Sequence, residues 1–244
     1  MKILTIDIFG TLFVPRPSVA AQYLAIVQKH EKCASSVSQV QANFYQAFKQ
    51  HYKEYPLYGK GKMGYESWWC HVIQQTFENK ISLTTAKSVY EHFGSSQAYH
   101  LYDDVIPLLT TVRSMGFKTC ALSNMDPKAN DILVDFGLDK LLDKVFLSYD
   151  TGIDKPDPRA WEMVENAFGV SQRCYNSLYH VGDEVKKDLV SVPGWVAVLI
   201  DRSEGFAEYD EMAKKAVKMR DGVLRLKEDQ YVVKDLGDVV DLLV

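Results

Sequence analysis

The residues of this chain that could take part in catalysis are polar residues that come directly after short apolar segments. They lie in four separated stretches: Asp7 with Gly10 and Thr11, Ser123 with Asn124, Lys155, and Asp183 with Glu184 and Asp188. An aspartate carboxylate can act as a covalent nucleophile, and a lysine ammonium can offset negative charge on a reacting group. Carboxylate oxygens are also the hard ligands that suit Mg²⁺. The set therefore favours small-molecule chemistry at one site.

The apolar segments before these residues read as strands. The first is a β-rich run from Ile3 to Ile8 that stops at Gly10, as expected of a buried parallel strand. Further strands are predicted at Lys118 to Leu122, Lys144 to Ser148, Ser177 to Val181, Trp195 to Ile200 and Tyr231 to Val233. Between them, helices are predicted at Asp104 to Met115, Lys128 to Phe136 and Pro158 to Phe168, each followed by a glycine.

This alternation of strands and helices predicts an α/β fold: a Rossmann-like, mostly parallel sheet with helices on both faces. In such a sheet, ligands bind at the carboxyl ends of the strands, where the four polar stretches lie. Between Val19 and Phe93 the pattern is helical and lacks strand-like alternation. We therefore expect a core made of residues 1–15 and 97–244 and an inserted helical domain made of residues 16–96.

The end of the chain is less regular. Asp201 to Asp229 is charged and only weakly periodic, and it is interpreted as a surface excursion with some helix. The tail DLGDVVDLLV predicts a closing amphipathic helix.

Composition excludes several classes of function. The chain has 244 residues, 47% of them hydrophobic, and a net charge of −4 without a basic stripe, so we expect neither a nucleic-acid nor a membrane partner. The four cysteines are far apart and form no CxxC pair, which favours a reduced, cytoplasmic protein. No targeting signal is predicted, because Asp7 and Gly10 interrupt the first apolar run too early.

The four polar stretches resemble the signature motifs of the haloacid dehalogenase-like hydrolase superfamily. They occur in order as DIFGTL (Asp7 to Leu12), LSN (Leu122 to Asn124), DKPDP (Asp154 to Pro158) and HVGDEVKKD (His180 to Asp188). The position of the insert is similar to the helical cap domain of subclass I members. Within the superfamily, the chain is most similar to the eukaryotic branch that contains haloacid dehalogenase-like hydrolase domain-containing protein 3.

This resemblance implies a role for each motif residue. Asp7 would be the nucleophile, Thr11 and Ser123 would offer hydroxyl donors to the transferring group, and Lys155 would supply a fixed positive charge. Mg²⁺ would be the cofactor and Asn124 a substrate-binding residue. The implied metal site consists of Asp7, the backbone carbonyl of Phe9, Asp183 and, as a supporting carboxylate, Asp188.

Each of these residues also has a simpler interpretation. Ser123 could be a turn residue and Lys155 a solvated loop lysine, and the acidic residues after His180 could be surface acids near a helix start. Glu184 could replace either aspartate at the metal, whereas His180 is interpreted as a packed or hydrogen-bonded residue. The aromatic residues of the insert are more typical of a small helical core than of a binding pocket.

Phe9 departs from the family pattern. Phosphatases of the family have at this position a second aspartate that protonates the leaving group, whereas dehalogenases have an aromatic residue and lack magnesium. Three functions therefore stay open: a magnesium-dependent phosphatase restricted to good leaving groups, a 2-haloacid dehalogenase-like hydrolase, and a catalytically silent binding protein. We expect a small-molecule substrate, with phosphorylated compounds as candidates, and the sequence does not predict an oligomeric state.

Overall fold

A computed structural model describes residues 1–171, 177–189, 191–202, 216–220 and 222–243. The chain divides into two compact units. The first unit consists of Met1–Val14, Leu101–Asn124 and Gly137–Val244, and the second consists of Pro15–His100 and Met125–Phe136.

The first unit is built on a largely parallel sheet. Its parallel strands are β1 (Lys2–Ile6), β4 (Phe117–Ser123), β5 (Lys144–Leu147), β6 (Leu178–Gly182), β7 (Trp195–Ile200) and β10 (Gln230–Val233). With β8 (Val217–Arg220) and β9 (Val223–Lys227), the strand order is β5-β4-β1-β6-β7-β10-β9-β8. The short strands β2 (Phe13–Pro15) and β3 (Tyr99–Leu101) form a separate two-stranded sheet.

Helices cover both faces of this sheet, and the predicted fold class is confirmed. They are α6 (Val105–Ser114), α8 (Ser148–Thr151), α9 (Arg159–Phe168) and α10 (Leu236–Leu242), with a 3₁₀ turn at Leu138–Lys140. Trp161 of α9 packs in one buried cluster with Leu178 of β6. The next residue, Tyr179, points to the opposite face, where its hydroxyl donates a hydrogen bond to the carbonyl of Leu242 in α10.

The register of the central strands brings their carboxyl ends to one edge. Ile6 of β1 pairs with Ala121 of β4 on one side and with Val181 of β6 on the other. Asp7 and Asp183 therefore leave the sheet at the same edge, where the ligand site of an open parallel sheet lies.

The segment from 216 to 229 differs from the prediction. Residues 203–215 and 221 lie outside the described part of the chain, but β8 and β9 form an antiparallel hairpin that extends the sheet beyond β10. Leu224 and Leu226 pack against the core from one side, while Val217 and Met219 on the edge strand are exposed. The hydrophobic alternation is thus split between a packed strand and an exposed one, which explains why these strands were not predicted.

The second unit is helical. It contains α1 (Val19–His30), α2 (Val37–Glu54), α3 (Pro56–Gly59), α4 (Tyr65–Thr76), α5 (Leu83–His92), a 3₁₀ turn at Ser96–Ala98 and α7 (Lys128–Asp135). The side chain of Ser36 accepts a hydrogen bond from the Gln39 backbone, and Gln39 bonds back to Ser36, so α2 begins with a complete capping box. Trp68 is fully buried against Phe48 and Tyr58, as expected of a core aromatic residue.

The predicted domain boundaries remain a prediction, and the compact units differ from them at Met125–Phe136. This segment groups with the helical unit through specific polar contacts. Trp69 donates a hydrogen bond to Asp126 over 2.7 Å, the Lys128 ammonium bonds the Tyr90 carbonyl, and the Ser96 amide bonds Asp135 over 3.0 Å. No helix in the described part of the chain is both long and apolar enough to cross a membrane.

Candidate active site

Asp7 lies directly after β1 and is buried, with 6% of its surface exposed. Its Oδ1 accepts a hydrogen bond from Lys155 Nζ at 2.8 Å. This contact fixes the orientation of the carboxylate, a group that can act as a covalent nucleophile.

Lys155 is the central cation of the site and not a solvated loop residue. Only 3% of its surface is exposed, and Nζ contacts both Asp7 Oδ1 at 2.8 Å and Asp188 Oδ1 at 2.6 Å. Burial alone would lower the pKa of the ammonium, but the two carboxylates outweigh burial and raise it. Lys155 therefore stays charged.

The loop that presents Lys155 is held by Asn124 at the end of β4. The Asn124 side chain donates to the Lys155 carbonyl at 2.8 Å, and its oxygen accepts from the Lys155 amide at 2.7 Å. The Asn124 amide group is therefore engaged with the backbone, which is a positioning role. Its predicted contact with substrate stays a prediction.

Both carboxylate oxygens of Asp188 contact protein donors, and its supporting role at the metal stays a prediction. Oδ1 contacts Lys155 Nζ and His180 Nε2, the latter at 3.0 Å, and Oδ2 accepts from the Glu184 amide at 2.9 Å. Burial opposes the charge, but Lys155 and the His180 hydrogen bond hold the pKa of Asp188 below its usual range. A side chain at position 182 would collide with this group, since a Cβ on Gly182 would lie 2.2 Å from Asp188 Cγ.

His180 has the predicted role of a packed, hydrogen-bonded residue. Its ring is buried, contacts Thr5 Oγ1 at 2.7 Å through Nδ1 and meets Asp188 through Nε2. Burial lowers the pKa of the imidazole, so the neutral form is favoured.

Asp183 differs from the other two aspartates because it has no contact with Lys155 among the described hydrogen bonds and ion pairs. Its Oδ1 accepts a hydrogen bond from Thr11 Oγ1 at 3.0 Å. Burial, followed by the charges of Asp7 and Asp188, raises the pKa of Asp183 to about 7. The charged form of this carboxylate is therefore disfavoured in the protein without a cation.

Gly10 allows the Asp183 carboxylate to approach the backbone closely. Its φ is +87°, in the left-handed region that favours glycine, and a Cβ at this position would lie 2.2 Å from Asp183 Oδ2. The glycine of the first motif is thus required twice, for its backbone conformation and for the space that Asp183 occupies.

The three aspartates form a group that fits a divalent cation. One carboxylate oxygen from each of Asp7, Asp183 and Asp188 lies within 4.8 Å of the others. Together with Lys155, these side chains carry three negative charges and one positive charge when fully ionised, which leaves two negative charges in a largely buried setting. Such a charge balance, with hard oxygen donors, fits a divalent cation.

The remaining predicted residues have different surroundings. Ser123 is buried at the end of β4, whereas 42% of Phe9 is exposed. Glu184 is exposed and pairs with Lys187 at 2.6 Å, so it is not part of the carboxylate group.

Two residues near the site, Arg202 and Asp104, were not predicted to have a role there. Arg202 follows β7, donates to the Thr11 carbonyl at 3.0 Å and forms an ion pair with Asp104. The rule that selected Asp7 and Asp183 could have found Arg202, because it is also a polar residue just beyond a strand's carboxyl end.

Comparison with known proteins agrees with this geometry. A family model described as haloacid dehalogenase-like hydrolase matches residues 1–191. Haloacid dehalogenase-like hydrolase domain-containing protein 3 from Bos taurus is 29% identical over 201 residues, which cover 77% of this chain and 76% of the bovine protein. That relative belongs to the branch that the sequence predicts.

Solved structures with the same fold include enzymes of two kinds. L-2-haloacid dehalogenase from Xanthobacter autotrophicus has a TM-score of 0.68 at 17% identity, with 100% of this chain and 98% of that chain covered. A phosphatase from Thermococcus onnurineus has a TM-score of 0.61 at 19% identity, with the same coverage of 100% and 98%. At these identities the likeness is one of fold.

Proposed function

Because this chain belongs to the haloacid dehalogenase-like hydrolase family, as its motifs predict, we propose that it is a magnesium-dependent phosphatase restricted to substrates with good leaving groups. Asp7 is the nucleophile, Lys155 holds it, and Asp183 is the carboxylate that binds the metal together with Asp7 and the Phe9 carbonyl. The substrate is a small phosphorylated molecule.

The observation that carries this proposal is the close grouping of three aspartates, since one carboxylate oxygen from each of Asp7, Asp183 and Asp188 lies within 4.8 Å of the others. A dehalogenase of this fold has no need for a third buried carboxylate next to two others. Here the raised pKa of Asp183 shows that the protein alone does not stabilise its charge. A divalent cation would stabilise it, and when bound it would also offset the charge of a phosphate group.

The reaction has two steps in this proposal. Asp7 Oδ2 attacks phosphorus, since Oδ1 is held by Lys155, and the bond to the leaving oxygen breaks with its electron pair. A water molecule then attacks the phosphorus of the resulting acyl phosphate, which releases inorganic phosphate and restores the Asp7 carboxylate. The Thr11 and Ser123 hydroxyls and the Lys155 ammonium stabilise negative charge on the phosphoryl oxygens.

Phe9 sets the restriction on the leaving group. Its ring can neither donate a proton to a departing alkoxide nor activate water. General acid–base assistance contributes about 10²–10⁴ in rate, which corresponds to about 3–5 kcal/mol of barrier. An aryl oxide leaves without a proton, so aryl phosphates should react where alkyl phosphates do not.

Dehalogenation is the second candidate, and Phe9 is the observation that favours it. Halide also leaves without a proton, and the phenyl ring of Phe9, two residues after Asp7, is an exposed apolar group. The X. autotrophicus protein, which has this activity, shares the fold. Against this candidate stands Asp183, for which carbon–halogen cleavage by Asp7 has no use.

One substrate panel separates the candidates. The wild-type protein is assayed with an aryl phosphate, an alkyl phosphate and 2-chloropropionate, each with Mg²⁺ and with EDTA. Asp7→Asn removes the nucleophile, and Asp139→Asn is the matched control, because Asp139 is an exposed acid of the same unit outside the carboxylate group. Phe9→Asp restores the proton donor.

We expect Mg²⁺-dependent turnover of the aryl phosphate only, lost in Asp7→Asn and kept in Asp139→Asn. Phe9→Asp should gain activity on the alkyl phosphate. Halide release in EDTA would support the dehalogenase. No turnover by the wild type, together with phosphatase activity in Phe9→Asp, would identify a silent binding protein and refute our proposal.

A further inference from the structure

Arg202 connects the carboxyl end of β7 to the segment that follows Asp7. Nη1 and Nη2 pair with the two carboxylate oxygens of Asp104 at 2.9 and 3.0 Å, and Nη2 also donates to the Thr11 carbonyl at 3.0 Å. The guanidinium lies 3.6 Å from the ring centroid of Tyr102. Only 18% of the arginine side chain is exposed.

Asp104 extends this connection to a fourth segment. Its Oδ2 also accepts a hydrogen bond from the Leu236 amide at the start of α10, over 2.9 Å. Residues that are far apart in sequence are therefore tied to Thr11 through one guanidinium. Charge-assisted, bidentate hydrogen bonds of this kind are among the strongest polar contacts in proteins and restrict the orientation of both side chains.

Thr11 is where this connection meets the carboxylate site. The residue is fully buried, with its carbonyl held by Arg202 and its hydroxyl donating to Asp183 Oδ1. Gly10, which adjoins it, packs against the same carboxylate. A shift of the Thr11 backbone would therefore move the donor that orients Asp183.

We propose that Arg202 is a positioning residue of the metal site, which holds Thr11 so that Asp183 is oriented to bind Mg²⁺. This inference rests on the proposed function for the metal, but the contacts of Arg202 do not depend on it. Lysine cannot replace the arginine, since a single ammonium cannot span both Asp104 oxygens and the Thr11 carbonyl or stack on Tyr102 in the same way.

The test compares Arg202→Lys with Arg113→Lys in the full chain. Arg113 is a matched control, because it also joins an aspartate and a backbone carbonyl, with 3.2 Å to Asp143 Oδ2 and 3.0 Å to the Leu141 carbonyl. Its partners Leu141 and Asp143 precede β5, away from the carboxyl ends of the strands. Arg202→Ala, with and without low-millimolar guanidinium, is a second variant in case lysine prevents folding.

Two readouts are measured for each variant. The first is the Mg²⁺ dissociation constant, obtained from the rise of the unfolding temperature with Mg²⁺ concentration. The second is hydrogen exchange of the backbone amides in residues 8–13. Altering a group that orients a metal ligand typically weakens metal affinity 10–100-fold, so we expect about tenfold weaker binding and faster exchange in Arg202→Lys. Guanidinium should restore affinity to Arg202→Ala, and Arg113→Lys should match the wild type.

The outcomes are distinguishable. Wild-type Mg²⁺ affinity and wild-type exchange in folded Arg202→Lys would overturn the inference, as would equal effects in Arg113→Lys. If the wild type itself does not respond to Mg²⁺, the proposed function fails. In that case hydrogen exchange alone decides whether Arg202 holds Thr11, and unchanged exchange in residues 8–13 refutes it.

Discussion

Replacing Asp183 by asparagine should stabilise the metal-free protein, although it removes a residue of the site. Burial and then the charges of Asp7 and Asp188 raise the pKa of Asp183 from 3.8 to about 7. The acid is thereby weakened by about three factors of ten, and each factor corresponds to about 1.4 kcal/mol. The ionised side chain thus costs the folded, metal-free protein up to about 4 kcal/mol at neutral pH.

The sign of the pH dependence follows from the raised pKa. The folded protein favours protonated Asp183, so this contribution to stability is present below the unfolded pKa near 3.8 and is lost as the pH rises to about 7. The difference in unfolding free energy between Asp183→Asn and the wild type should therefore grow between pH 4 and pH 7 and then level off. At about 2–4 °C for each kcal/mol in a protein of this size, the plateau corresponds to roughly 10 °C.

Thermal unfolding measured in EDTA across this pH range tests the expectation for the metal-free protein. The same measurement with added Mg²⁺ tests whether Asp183 binds the metal. At ten times its dissociation constant, Mg²⁺ should raise the unfolding free energy of the wild type by about 1.4 kcal/mol and thereby raise its unfolding temperature. It should leave Asp183→Asn unchanged. Asp139→Asn is the control, because Asp139 is an exposed acid of the same unit. If Asp183→Asn is less stable than the wild type in EDTA at pH 7.5, Asp183 is not under electrostatic strain and the reasoning is wrong.

Three further substitutions test how the site is held together. Asn124→Ala removes both hydrogen bonds to the Lys155 backbone and should lower the unfolding free energy by about 1–3 kcal/mol, as measured by denaturant unfolding. In aryl phosphate kinetics, the same substitution should change kcat more than KM. Lys155→Met leaves two buried carboxylates unpaired, so denaturant unfolding at pH 7 should show a loss of about 3–5 kcal/mol. Gly10→Ala places a methyl group against Asp183 and should abolish the Mg²⁺-dependent rise in unfolding temperature.

Matched controls separate these effects from general damage. Asn130→Ala changes an exposed asparagine and should leave kcat unchanged. Gly116→Ala introduces the same backbone strain as Gly10→Ala, since φ is +82°, but its Cβ would meet no atom within 4 Å. A wild-type response to Mg²⁺ in Gly10→Ala, or an equal loss in Gly116→Ala, would contradict the close approach of Asp183. Unchanged stability in Lys155→Met would contradict the buried ion pairs.

Much of the fold could be predicted because its signals are local. The apolar run before Asp7 and the glycine that follows each predicted helix are properties of neighbouring residues. The core strands and helices that were predicted lie within a residue or two of their predicted bounds. The convergence of Asp7, Ser123 and Asp183 also followed from local signals, since parallel strands share one carboxyl edge.

The remaining features depend on contacts between distant segments. Sequence spacing could suggest that Asp188 supports the site, but its contacts with Lys155 and His180 are formed only in the folded protein. Arg202 follows a predicted strand, but its role was missed because its partners Asp104 and Thr11 are far away along the chain. The raised pKa of Asp183 likewise depends on the folded structure, because it arises from burial and from the charges of Asp7 and Asp188.

The central claim, covalent catalysis by Asp7 without a proton donor at position 9, predicts an unusual time course. An aryl oxide leaves readily, but the second step lacks a group at Phe9 to activate water, so the acyl phosphate on Asp7 should accumulate. The direct measurement is rapid-quench kinetics with an aryl phosphate and Mg²⁺, followed by peptide mass spectrometry of the acid-quenched protein. We predict a burst of aryl alcohol that matches a phosphoryl adduct on Asp7 and is absent in Asp7→Asn. Turnover without an adduct on Asp7, or a burst that persists in Asp7→Asn, would contradict the account.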